Sequence, residues 1–186
     1  MRKLMALPVV LGITACSASL EDFAQKGPAF DLPGYFDGHI TAYGIIEDFK
    51  GQMTRHFCVD ILASWENNQG QLHETFYFDD GEQQIRIWKL TVDEQGGVTG
   101  TAGDVVGEAS GKAVGNAFNW QYELSVPIDG EPMVFAIDDW LYRLDKNRLM
   151  NRSYMKKFGL TVAEISIFFD KSTNFVGCPA ASQQDS

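Results

Sequence analysis

Reactive side chains are scarce in this chain. It holds three histidines and three cysteines in 186 residues. His39, His56 and His73 show neither the helical i, i+4 spacing of a metal pair nor a cysteine partner at metal-site spacing, so no metal centre is expected. No Gly-x-Ser-x-Gly nucleophile turn is present. The stretch closest to a phosphate loop, Gly107-Glu-Ala-Ser-Gly-Lys-Ala113, has the wrong spacing and no Ser or Thr after its lysine. Asp138 and Asp139 are neighbours in a segment that reads as strand, so they point to opposite faces and cannot share one substrate. Cations are also few: 15 Lys and Arg stand against 25 Asp and Glu, a formal net charge of −10. Such a surface repels phosphate backbones and anionic head groups, which excludes nucleic acid as a partner and a basic patch as a membrane anchor. These absences predict a protein without cofactor and without covalent chemistry.

Long apolar runs are missing too, and the N-terminal one is too short to span a bilayer. Arg2 and Lys3 lead the run Leu4 to Ile13, and Thr14-Ala15 then ends at Cys16. A basic start, a short apolar segment and a small residue before a cleavage point make a secretory signal peptide. Ile13-Thr14-Ala15-Cys16 resembles the lipobox of bacterial lipoproteins, in which Cys16 would take a diacylglycerol and become the new N-terminus. The alternative is an ordinary signal peptide with a cysteine placed there by chance. On the lipoprotein reading, 1–15 are the leader, 16–33 a lipid-anchored tether, 34–171 the folded domain and 172–186 a polar tail. The expected partner is then a membrane, reached through the N-terminal lipid. Ser17, rather than aspartate, follows Cys16, which predicts sorting to the outer membrane on its periplasmic side.

Cys58 and Cys178 remain. In an oxidising compartment they could pair, closing a loop whose entropy alone contributes on the order of 4–5 kcal/mol. Otherwise they stay separate, with Cys58 buried as a small apolar residue.

After a short N-terminal helix over 20–26, two-residue alternation dominates. Phe57, Val59, Ile61 and Ala63 share one face of a strand near 54–65. Strands 72–78 and 85–92 are joined through Asp79-Asp80-Gly81. Phe118, Trp120, Tyr122 and Leu124 alternate with Asn119, Gln121 and Glu123, a half-buried strand. Asp129-Gly130 turns it into 133–144, Asp145-Lys-Asn147 leads to 148–157, and Lys157-Phe-Gly159 to 160–170. Eight to ten antiparallel strands in sequence must close or fold over to remove their edges. The predicted fold is therefore all-β, a single up-and-down barrel whose interior is either filled by side chains or holds one small ligand.

Gly103, Gly107, Gly111 and Gly115 recur every four residues. As a strand they would share one face with little volume, serving close packing and bending or leaving ligand space. Charges also sit within apolar strands. If Gly81 is left-handed in a three-residue hairpin loop, Glu74 lies opposite Arg86, on the face that carries Trp88. With Trp120, Tyr122, Asp138, Trp140 and Arg152 these residues form the candidate ligand-binding set. Arg86 would fork onto a carboxylate or phosphate head group while the aromatics hold the apolar tail. Alternatively the charges are mutually satisfied pairs that bind nothing.

Leu72-x-Glu74-x-Phe76, Asp80-Gly81 with Arg86-x-Trp88, Gly103-Asp-Val-Val-Gly107, Gly115-Asn-Ala117 with Trp120-x-Tyr122, Asp138-Asp-Trp140, Asn151-Arg152, Lys157-Phe-Gly159 and Phe168 form an ordered series. Together, over roughly 30–171, they resemble a family of uncharacterised proteobacterial lipoproteins, a domain of unknown function. The resemblance implies an envelope lipoprotein and supplies no catalytic or ligand-binding residue. The barrel is also similar to lipocalins and other calycins, with Gly34-Tyr35-Phe36 in the place of their first-strand glycine-aromatic motif, but without their C-terminal helix. The expected function is a lipid-anchored, calycin-like barrel that binds a small apolar or amphipathic molecule such as a fatty acid. The alternatives are a structural lipoprotein with a filled barrel and, less favoured, an envelope hydrolase.

Overall fold

The computed structural model describes residues 18–172 and 177–178. Ten strands follow one another: β1 (Gly38–Asp48), β2 (Met53–Glu66), β3 (Gln69–Phe78), β4 (Gln83–Val92), β5 (Gly97–Thr101), β6 (Val105–Val114), β7 (Ala117–Ile128), β8 (Glu131–Arg143), β9 (Arg148–Lys157) and β10 (Leu160–Asp170). Each pairs antiparallel with its sequence neighbours, and β10 returns to β1, so the meander closes. Closure satisfies every strand edge without a covering helix. The predicted all-β barrel is the fold. Its N-terminal helix shrinks to a single 3-10 turn, Leu20–Phe23, whose first amides are capped by Ser19.

Side-chain alternation sets inside from outside. Phe57, Val59, Ile61 and Ala63 of β2 are buried, as are Phe118, Trp120 and Leu124 of β7, while Gln121 and Glu123 face solvent. The 79–81 hairpin has Gly81 left-handed at φ 84°, and Glu74 pairs with Arg86 in register, as expected from the sequence. Cys58 lies between two inward residues and so leaves the outer face of β2. There it forms a disulfide with Cys178, whose amide donates to Asp60 Oδ1 at 3.2 Å.

The four glycines do not share a strand face. Gly103 precedes β6, Gly115 follows it, and Gly107 sits left-handed (φ 73°) where the β6–β7 register slips between Val106 and Ser110. Three residues of β6 there oppose one of β7, a bulge that bends the wall. Gly111 alone packs inward: a Cβ at this position would lie 2.6 Å from the Trp120 ring.

One end of the barrel is plugged by the N-terminal segment. Phe30 stacks on Phe118 with 5.3 Å between centroids, and Phe36 meets Phe169 edge-on at 5.7 Å. Backbone and side-chain bonds fix the plug: Phe30 N donates to Gly115 O, Arg143 Nη1 to Ala29 O, and Tyr35 Oη to Asn147 O. Gly34-Tyr35-Phe36 is part of this plug rather than of a first strand. Asp31 caps a helical turn over Leu32–Tyr35 by accepting from Gly34 N, and Pro33 in that turn has no amide to give a ladder.

Candidate ligand-binding cavity

Inside the barrel lies a cavity of about 580 Å³. It begins at Leu32 and Phe36 of the plug. Its lining reaches Gln84, Ile85 and Pro127, which are solvent-exposed, so it opens at the end opposite the plug. Exposed Phe49, Met53, Ile85, Ile128, Phe158 and Leu160 stand on the strand ends and turns of that same end.

Two aromatic groups stand in a wall otherwise rich in aliphatic side chains. Phe57, Phe76 and Phe78 lie together on β2 and β3, with centroids 5.5–6.1 Å apart. Trp88 meets Trp120 at 5.7 Å and Tyr122 at 5.4 Å, both edge-on. Large rings suit this wall because each covers much area with few rotamers.

A polar group interrupts the apolar lining. Glu74, Arg86, Asp104, Tyr122, Asp139, Asn151 and Ser153 all line the cavity. Arg86 directs its fork to Asp104, which β5 and β6 hold between them: Nε donates to Oδ1 at 3.1 Å and to Oδ2 at 2.9 Å, and Nη2 donates to Oδ2 at 2.7 Å. The expected cross-strand ion pair between Arg86 and Glu74 does not form, although the two residues are in register. Asp139 accepts from Ser153 Oγ at 2.7 Å and from Asn151 Nδ2.

Burial disfavours charge on Glu74 and Asp139, the two acids of this group without an ion pair among the described residues. It pushes Glu74 up to about 7, a rise that Arg86 moderates and Asp104 and Asp139 reinforce. It pushes Asp139 up to about 6 against the hydrogen bonds from Ser153 and Asn151. Burial likewise holds the Tyr122 phenol well above its ordinary value, with Asp139 adding to the effect. These are the shifts expected when a carboxyl or phenol leaves water without a full set of donors.

Five of the residues singled out from sequence therefore meet in the cavity: Glu74, Arg86, Trp88, Trp120 and Tyr122. Asp138, Trp140 and Arg152 do not. In β8, Phe135 and Ile137 are buried inward, so the two-residue period turns Asp139 and Leu141 inside and Asp138 and Trp140 outside. Asp138 takes Lys156 Nζ at 2.7 Å, Asn119 Nδ2 at 2.9 Å and Trp140 Nε1 at 3.0 Å. Trp140 and Tyr142 support Phe23 of the N-terminal segment, at 6.0 and 5.5 Å. Arg152 pairs with Glu164 across β9 and β10 on the surface. Asp104, Asp139, Asn151 and Ser153 line the cavity from outside that candidate set, although Asp139 and Asn151 stand beside Asp138 and Arg152 in the same polar stretches of sequence. Asp139, Asn151 and Ser153 follow from carrying the inward parity of Ile137 and Leu149 along their strands. Asp104 carries no such signal, because it lies in a turn.

Residues 10–171 match the family model described as a protein of unknown function, DUF3833. The chain belongs to that family. The match spans the plug and all ten strands, so the whole wall of the cavity lies within the DUF3833 domain. A search of curated proteins gives no match. Among solved structures, the DUF3833 barrel is similar to the S-type phycobiliprotein lyase CPES from Guillardia theta. The TM-score is 0.52 and the identity 10%, over 73% of this chain and 89% of that one. At that identity the likeness is one of fold, and it supports the calycin-like description of the barrel.

Proposed function

We propose that this protein is a lipid-anchored binding protein of the bacterial envelope whose barrel holds one small apolar or amphipathic molecule, without covalent chemistry. The observation that carries the reading is the cavity: about 580 Å³, walled by aliphatic and aromatic side chains and interrupted by a few inward polar groups. Sites for small molecules have this size and this make-up. A filled barrel would have closed the space, since interiors pack to crystal-like density. The apolar residues around the mouth suit the passage of an apolar ligand. The structural neighbour is named as a phycobiliprotein lyase, which is compatible with a barrel that handles a small molecule.

The anchor rests on the sequence. Cys16 and the leader 1–15 lie outside the described residues. Ala18, where the described chain begins, is two residues from Cys16, so a lipid there would sit within about 7 Å of it. Phe23 onward is packed at the plugged end. The anchor would thus hold that end toward the outer membrane and leave the mouth in the periplasm.

Phenylnaphthylamine, a neutral dye that brightens in apolar surroundings, tests the cavity. Full-length protein in nanodiscs, with empty discs as the blank, should give saturable one-site enhancement. Val59→Trp, which fills the interior from β2, should remove it. No enhancement, or enhancement indifferent to Val59→Trp, would refute the binding role.

A further inference from the structure

The cavity contains three carboxyl groups, Glu74, Asp104 and Asp139, and one deep cation, Arg86. Arg55, nearer the mouth, is held by Asp80 and Glu82. Asp104 takes the Nε–Nη2 edge of the Arg86 guanidinium and balances its charge. Asp139 receives only neutral donors, Asn151 and Ser153. Glu74 accepts no hydrogen bond and makes no ion pair among the described residues, yet it lines the cavity opposite Arg86 in register. The interior is therefore short of positive charge. An anionic head group would enter a chamber that already has more acid than base, and whose one deep cation is already paired with Asp104. A carboxylate left without partners in such a place takes up a proton or waits for a cation.

Beside Glu74 stand the rings that favour a cation. Trp88 is two residues beyond Arg86 on the same face of β4, and Trp120 and Tyr122 meet it edge-on. Aromatic walls attract ammonium groups, more strongly when water is excluded.

We propose that the molecule held in this barrel is an amphiphile with an ammonium head, paired by Glu74 and Asp139 beside the Trp88–Trp120–Tyr122 cluster, with its apolar tail along the remaining aromatic wall. This rests on the binding role proposed above and sets its chemistry. It replaces the fatty-acid head group that the sequence suggested for Arg86.

The test compares three ten-carbon probes, decylammonium, decanoate and decanol, on the full-length protein in nanodiscs of zwitterionic lipid. Tryptophan fluorescence provides the signal and empty discs the blank. At about pH 8 Glu74 is ionised while facing Arg86, Tyr122, Asp104 and Asp139. Decylammonium should then bind at least tenfold more tightly than decanoate. Glu74→Gln should reduce decylammonium affinity tenfold or more, several times more than it changes decanol affinity, and not lower the melting temperature. Preferential binding of decanoate, or decylammonium binding indifferent to both Glu74→Gln and Asp139→Asn, would overturn the head-group assignment while leaving the binding role standing. Failure of all three probes, together with failure of the neutral dye, would overturn both.

Discussion

Glu74 ties the interior chemistry to stability. Its folded pKa is raised to about 7 from an ordinary value of 4.5, with burial the main cause. Folded protein therefore holds this proton more tightly than unfolded protein. The stabilisation is complete below the unfolded value and is lost as pH rises from about 4 through about 7, on the order of 3 kcal/mol in all. Asp139, raised to about 6, acts in the same direction. Thermal melts of wild type and Glu74→Gln across this range should show a falling wild-type curve and a flatter variant curve. Parallel curves would mean that Glu74 has its ordinary affinity for protons. Arg86 makes a different prediction. Arg86→Met strands Asp104, which is partly exposed, so the loss should lie between surface and buried ion pairs, about 2 kcal/mol. Asp104→Asn should restore most of it and Glu74→Gln little. A double-mutant cycle in which Glu74 gives the larger coupling would contradict the pairing.

At the scale of elements, alternation made most of the barrel legible. β7 was readable because Phe118, Trp120 and Leu124 go in while Gln121 and Glu123 go out, and a register error would have reversed them all. Trp120→Ala should cost about 3–5 kcal/mol by chemical denaturation, whereas Gln121→Ala should be nearly neutral. A large loss for Gln121 would reverse the face. Less was legible where alternation was crowded with aromatics. In β8, Trp140 looks like a core residue, but Phe135 and Ile137 set the inward parity. Asp139 and Leu141 then take the inner positions. β6 hid its register because the bulge at Gly107 breaks the period. The Arg86–Asp104 pair joins β4 to the turn after β5, 18 residues away, where the β4–β5 register continued past Thr101 sets the two opposite each other. Two hairpins were plain: Asp129-Gly130 and Phe158-Gly159 both have two successive left-handed residues, as tight strand turns demand.

The whole molecule is a closed wall with one plugged end and one open mouth, and its covalent tie crosses most of the chain. Cys58 and Cys178 are 120 residues apart. Protein unfolded without reductant should show neither as a free thiol. Reduction should lower stability by up to about 4–5 kcal/mol on loop entropy. Two titratable thiols would contradict the bond. Cys16→Ser should leave the chain unlipidated and shift it out of the membrane fraction; unchanged fractionation and mass would remove the anchor. The most direct measurement is native mass spectrometry of full-length protein extracted gently from the cells that make it. The expected spectrum carries one additional small molecule per chain, lost on collisional activation and absent from Val59→Trp. A clean apo mass for wild type, unchanged when amphiphiles are added, would mean that the barrel binds nothing.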